Sequence, residues 1–226
     1  MDLTRRIDNY CERMSEAFWA EPLNAVTNGA FLIAALYCLV LAYRAGRLDG
    51  SVGFLIVTLS AIGIGSFLFH TYATAWAALT DVIPIGIFIL GYFAIAMHAY
   101  IGFSWLQTAG AMVVFLIALV AVSWVMNTLL RDVIGGSVSY GPALLAIFVV
   151  GAWLRFLRHP AAGGLFLAGG VFVLSLGFRS IDIPLCDALP FGTHFLWHVC
   201  NSVVLGALIL TLIRHGKRQP DAQPGY

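Results

Sequence analysis

An all-α membrane protein, a single bundle of seven transmembrane helices, is the fold class this sequence predicts, and three observations carry the prediction. Of its 226 residues 61% are hydrophobic and 10% charged, against roughly 45–50% and about 25% in an ordinary soluble domain. The mean hydropathy is +0.91. The apolar residues gather into runs near the ~20 residues a helix needs to cross about 30 Å of hydrocarbon, and short breaks rich in turn-forming or charged residues separate them.

Seven runs follow in order. Residues 23–43 form the first and 52–70 the second, divided by the basic turn 44–50; the third, 81–100, starts after a break at 72–78. The fourth, 105–126, ends before the charged and glycine-bearing stretch 131–136, and 140–156 makes the fifth. A sixth, 164–179, follows 158–163, and a seventh, 191–213, follows the loop 181–190 with its two prolines. The fifth and sixth are short and glycine-rich, and losing one would reverse the side on which the C-terminus lies. Short connections imply an up-and-down bundle.

Residues 1–22 form an N-terminal interfacial segment, 23–214 the bundle, and 215–226 a polar tail. The first 20 residues carry Asp2, Arg5, Arg6, Asp8, Glu12, Arg13 and Glu16 and lack the apolar run of a signal peptide. They are expected to lie as an amphipathic helix on the membrane, with Tyr10, Phe18 and Trp19 toward the interface. Orientation follows from the basic residues of the short loops. With the N-terminus extracytoplasmic, Arg44, Arg47, Arg155, Arg158, Arg214, Lys217 and Arg218 fall on the inner side and Arg5, Arg6, Arg13, Arg131 and Arg179 on the outer. The bias favours an extracytoplasmic N-terminus and a cytoplasmic C-terminus. A net charge of +1 without a basic stripe gives no reason to expect nucleic acid as a partner.

Five polar positions stand out against this apolar background. Ser66 and His70 close the second run, Asp81 opens the third, and His194 and His198 open the seventh. Under seven spans all of them share one leaflet, whichever way the protein is inserted. Ionisable groups at membrane depth are costly unless paired, bound to metal or facing a polar cavity, so their convergence marks a site. Residues four apart share a helix face, which lets His194 and His198 hold one ion and puts Ser66 one turn from His70. Three neutral imidazoles with an open fourth position are the ligand set of a catalytic zinc. Asp81 is then the proton carrier for a zinc-activated water and Ser66 a donor to the developing oxyanion. His98, His159 and His215 read as interfacial or packing residues.

These residues resemble the alkaline ceramidases, in the wider superfamily that includes the adiponectin receptors. The resembling stretches are Gly65-Ser66-Phe67-Leu68-Phe69-His70-Thr71, Asp81, His194-Phe195-Leu196-Trp197-His198-Val199-Cys200-Asn201, and Tyr10-Cys11-Glu12 with Glu21 and Asn24. The resemblance implies a seven-helix zinc amidohydrolase that cleaves the amide of ceramide to a sphingoid base and a fatty acid, with its site open to the extracytoplasmic or lumenal side. It implies His70, His194 and His198 as zinc ligands, Asp81 as proton carrier and Ser66 as an assisting residue. It also implies calcium near the zinc, for which Asp8, Asn9, Glu12, Glu21 and Asn24 are the oxygen-bearing candidates. Asn9 and Met14 depart from the family's pattern there. Cys11 and Cys186 both fall in outer segments, and the resemblance supports a disulfide between them, whereas Cys38 and Cys200 lie within spans as packing residues. Arg179, Asp182 and Asp187 flank Cys186 either as a clamp for a polar lipid head or as a solvated loop.

A different reading is a seven-span sensor with a structural zinc site and little turnover. A haem-binding electron carrier is a third, though no second pair of facing histidines is apparent.

Overall fold

Helix follows helix along the chain. The computed structural model describes residues 2–217, in which α1 (Pro22–Thr27) runs into α2 (Gly29–Arg44), followed by α3 (Gly50–Tyr72), α4 (Ala75–Ala96) with a π turn at Met97–Ile101, α5 (Trp105–Ile134), α6 (Gly141–Phe156), α7 (Ala161–Ser180) and α8 (His194–His215). Of the tail expected at 215–226, residues 218–226 lie outside the described part. Six helical stretches are long and apolar enough to cross a membrane, which makes this an integral membrane protein.

The longest stretch, Trp105–Phe156, covers 52 residues. It is not one straight rod. Gly135 has φ +55° and ends α5, a 3-10 turn fills Gly135–Tyr140, and the Met126 side chain then fills the space where a Cβ on Gly141 would stand. In a continuous helix those two positions would be about 22 Å apart, so the chain doubles back between them.

The outside of the helices is as apolar as their packed faces. On α5, Leu106, Val114, Ile117, Val120 and Trp124 are each more than half exposed, a surface no water-soluble protein leaves uncovered. The core lies between α2, α3, α4, α6, α7 and α8, where Phe31, Leu55, Leu59, Phe88, Leu154, Leu165 and Ile209 are buried.

Two local devices set the geometry near the future site. Pro84 inside α4 has no N–H to give the Thr80 carbonyl. That carbonyl lies against Gly65 of α3, where any Cβ would collide with it, and the Thr80 hydroxyl bonds the Gly65 carbonyl at 3.3 Å. A close approach of α3 and α4 therefore falls immediately before Ser66 and Asp81. Their connection is only two residues: Ala73 takes a left-handed conformation (φ 47°) and α4 restarts at Ala75. The expected break at 72–78 is correspondingly shorter. Asp81 lies six residues, about 9 Å, inside its helix rather than opening it.

The N-terminal segment corrects a second expectation. Among the described residues no helix forms before Pro22. After a turn at Leu3 and Thr4, the chain instead pairs with the α3–α4 turn: the Ile7 N–H donates to the Ala73 carbonyl, and the Ala75 and Trp76 N–H groups donate to the carbonyls of Arg5 and Leu3, at 2.8–2.9 Å. Those bonds, with a disulfide further on, outweigh what a surface helix would gain. Phe18 and Trp19 remain partly exposed beside Phe67 and Tyr72, whereas Tyr10 turns inward.

Candidate metal centre

His70, His194 and His198 come from the end of α3 and the first two turns of α8, and each is at most 1% exposed. Their ligand atoms lie within 4.8 Å of one another, and among the described residues they are the group of histidine, cysteine or acidic side chains that could hold a metal ion. Ring centroids are 4.6–5.2 Å apart. Among the described residues, His194 Nδ1, His198 Nε2, Ser66 Oγ and Asp81 Oδ1 are buried without a hydrogen-bond partner. Buried polar atoms normally have partners, so this concentration of unpaired atoms fits a bound ion and a polar substrate.

The trio is held from behind. His70 Nδ1 is 2.5 Å from Glu21 Oε2, leaving Nε2 toward its partners. Thr27 gives its hydroxyl proton to the Leu23 carbonyl at 2.7 Å, so its oxygen accepts from His198 Nδ1 at 3.0 Å and His198 Nε2 keeps its lone pair. A carboxylate or hydroxyl on the far nitrogen fixes tautomer and ring orientation in metal-ligating histidines. His194 is clamped between flat rings, with Tyr10 stacked at 3.7 Å and Trp197 at 5.1 Å. Burial pushes the Tyr10 phenol above its ordinary pKa, so this ring stays neutral.

Asp182 is a positioning residue that sequence reasoning left undecided. It is 1% exposed, and its carboxylate accepts from the backbone N–H groups of Thr193 (2.7 Å), His194 (2.9 Å) and Cys11 (3.1 Å). It thus caps the start of α8, where a negative charge meets the helix's unpaired N–H groups. Gly192 (φ 61°) lets the chain pass beneath it, since a Cβ there would strike both Asp182 and Cys11. The neighbouring Cys11 and Cys186 are disulfide-bonded with Cα atoms 5.3 Å apart. Arg179 packs over Tyr140 (5.4 Å) and reaches Ser137 at 3.3 Å, while Asp187 is exposed. Neither Cys38 nor Cys200 is paired.

The calcium candidates do not assemble into an oxygen cage. Asp8 and Asn9 are exposed. Both oxygens of Glu12 accept from the N–H groups of Leu23 and Asn24, at 2.6 and 2.8 Å, starting α1. Glu21 is taken by His70, by Arg13 at 2.5 Å and by the Asn24 amide at 3.1 Å. Asn24 Oδ1 is buried without a hydrogen-bond partner, but calcium takes six to eight oxygens, and with Glu12 and Glu21 engaged elsewhere and Asp8 and Asn9 exposed these candidates do not supply that number.

Below the trio an apolar cavity runs through the bundle, lined by Phe31, Ile62, Phe88, Ala143, Val204 and Trp197 among others. Trp197 and Phe31 also touch the histidines, so the cavity ends at the site.

Two comparisons bear on identity. The family model described as Ceramidase matches residues 6–224. No curated protein matches the chain.

Proposed function

This chain belongs to the ceramidase family, and from that membership and the buried histidine trio we propose that it is a zinc-dependent amidase cleaving ceramide-like lipids to sphingoid base and fatty acid. The carrying observation is three imidazoles within ligand distance of a single ion, together with Asp81 Oδ1 and Ser66 Oγ, which are buried without a hydrogen-bond partner. His70, His194 and His198 would hold the zinc. When bound, zinc acidifies a water toward a pKa of about 7 and polarises the amide carbonyl. Asp81 takes a proton from the attacking water and returns it to the amide nitrogen as the C–N bond breaks. Ser66 Oγ donates to the carbonyl oxygen as its charge grows. The acyl chain lies in the apolar cavity under Trp197, reached from the bilayer.

In this reading residues 23–214 are the hydrolase domain and span the membrane seven times, the stretch Trp105–Phe156 crossing twice because it doubles back. The N-terminus and the metal centre face the extracytoplasmic or lumenal side. Two observations support that side. A disulfide at the site end of the molecule suits an oxidising compartment. Arg13 and Arg179 are tied up against the site, which leaves Arg5, Arg6 and Arg131 as outer loop charges against Arg44, Arg47, Arg155, Arg158, Arg214 and Lys217; Arg218 lies outside the described residues.

Release of fatty acid from a fluorescent ceramide in detergent micelles by the purified protein tests the reading. The wild type is expected to turn over and the His194→Ala variant to be inactive while keeping its helical circular dichroism. Normal turnover by that variant would overturn the assignment, and zinc binding without turnover by the wild type would favour the sensor reading.

A further inference from the structure

Two carboxylates, Glu12 and Glu21, are buried beside the histidine trio, at 8% and 3% exposure. Buried charge demands compensation. Glu12 finds it in backbone N–H groups alone. Glu21 finds a full positive charge, because the Arg13 side chain, 5% exposed, lies against it.

The Arg13 guanidinium makes three contacts that a cation of another kind would otherwise have to supply. Nε donates to Glu21 Oε1 at 2.5 Å, Nη1 to the Ser15 carbonyl at 3.1 Å and Nη2 to the His70 carbonyl at 2.9 Å. It therefore ties the N-terminal segment, the residue preceding α1 and the last turns of α3 to one point. All three acceptors are oxygens, the atoms a hard divalent ion would collect. A guanidinium cannot lose its charge and directs its donors in a fixed plane, so the cation is covalently part of the chain.

We propose that Arg13 is a built-in cation standing where a second metal ion would otherwise sit, and that through Glu21 it fixes the orientation of His70 without calcium. The positioning half of this inference rests on the reading of His70 as a zinc ligand; the calcium half does not. Glu21 is a positioning residue in direct contact with the ligand, and Arg13 positions Glu21. The chain from cation to carboxylate to imidazole is complete within the protein, so the site assembles from zinc alone.

Two measurements on the purified full-length protein in detergent test it. In the first, calcium chloride is titrated from micromolar to millimolar while the melting temperature and binding heat are followed, and the wild type is expected to show no saturable response. A saturable calcium response in the wild type overturns the proposal. In the second, zinc affinity is read by competition with a chromophoric chelator for the wild type and for Arg13→Met, Arg13→Lys and Glu21→Gln. Loss of an outer partner of a metal-bound histidine typically lowers affinity 10–100-fold, so Arg13→Met and Glu21→Gln are expected in roughly that range. Arg13→Lys, which restores the charge, should lie between them and the wild type; a loss in Arg13→Lys as large as in Arg13→Met would overturn the role given to the charge. If Arg13→Met fails to fold, Glu21→Gln decides, because it keeps shape and removes only the charge. Wild-type zinc affinity in a folded Arg13→Met or Glu21→Gln protein overturns the positioning role. A wild type that binds no zinc defeats the metal-centre reading and the positioning role with it, and the calcium titration then still judges the built-in cation by itself.

Discussion

Each histidine of the trio is steadied by a different chemistry, and each support has its own expected signature. Thr27 holds His198 through one hydroxyl, so Thr27→Val should weaken zinc binding while Thr27→Ser should not, read by the same chelator competition. In the proposed function Asp81 plays another part: it moves a proton and does not hold metal. Asp81→Asn should keep zinc at the wild-type level and lower kcat by about 100- to 10,000-fold, the usual scale for a general acid–base group. Zinc loss in that variant would instead make Asp81 a ligand. At this scale the sequence was readable where polarity contradicted its surroundings. His70, His194, His198, Ser66 and Asp81 are polar residues in apolar runs, and the four-residue spacings place them on shared faces. Arg13 and Asp182 were not readable as structural residues, because a charge in a loop looks solvated until tertiary packing removes the water. Their burial to 8% and 1% comes from contacts with residues far away in sequence.

Helix ends and helix crossings do the positioning at the next scale. The α3–α4 contact depends on Gly65 having no side chain, where the Thr80 carbonyl, whose usual helical donor Pro84 lacks, comes against it. Gly65→Leu should separate Ser66 from Asp81 and abolish turnover, and a folded, fully active Gly65→Leu protein would contradict this crossing. At the start of α8, Asp182→Ala removes the cap; the capping interaction alone is worth about 0.5–2 kcal/mol. Because the same carboxylate fixes the His194 backbone, zinc affinity should fall together with the melting temperature. The Cys11–Cys186 bond joins segments 175 residues apart. Removing a native disulfide costs roughly 2–5 kcal/mol in small secreted domains, and Cys11→Ser should lower the melting temperature accordingly, while an unchanged melting temperature would deny the bond a stabilising part. Most helix positions were legible from hydropathy, with ends shifted by a few residues wherever a turn was tighter than its composition suggested. The N-terminal strap was not. Its alternation of charged and aromatic residues suits a surface helix equally well, and only the backbone pairing with residues 73–76 distinguishes the two.

Over the whole molecule, an apolar cavity and the histidine trio share Trp197 and Phe31, and in the proposed function they form one path from bilayer to chemistry. Greasy composition announced the membrane, but neither it nor hydropathy could show that the helices enclose a cavity or that Trp197 joins it to the histidines. If the cavity takes the acyl chain, Ala143→Phe should shift preference toward shorter ceramides with little effect on zinc content, checked by turnover across a chain-length series. An unchanged chain-length profile would move the acyl chain elsewhere. The most direct test of the central claim combines metal analysis with ceramide hydrolysis on one preparation, before and after chelation and after adding zinc back. The account predicts about one zinc per chain, loss of turnover in step with loss of zinc, and recovery on replenishment. Undiminished hydrolysis by protein stripped of its metal would contradict it.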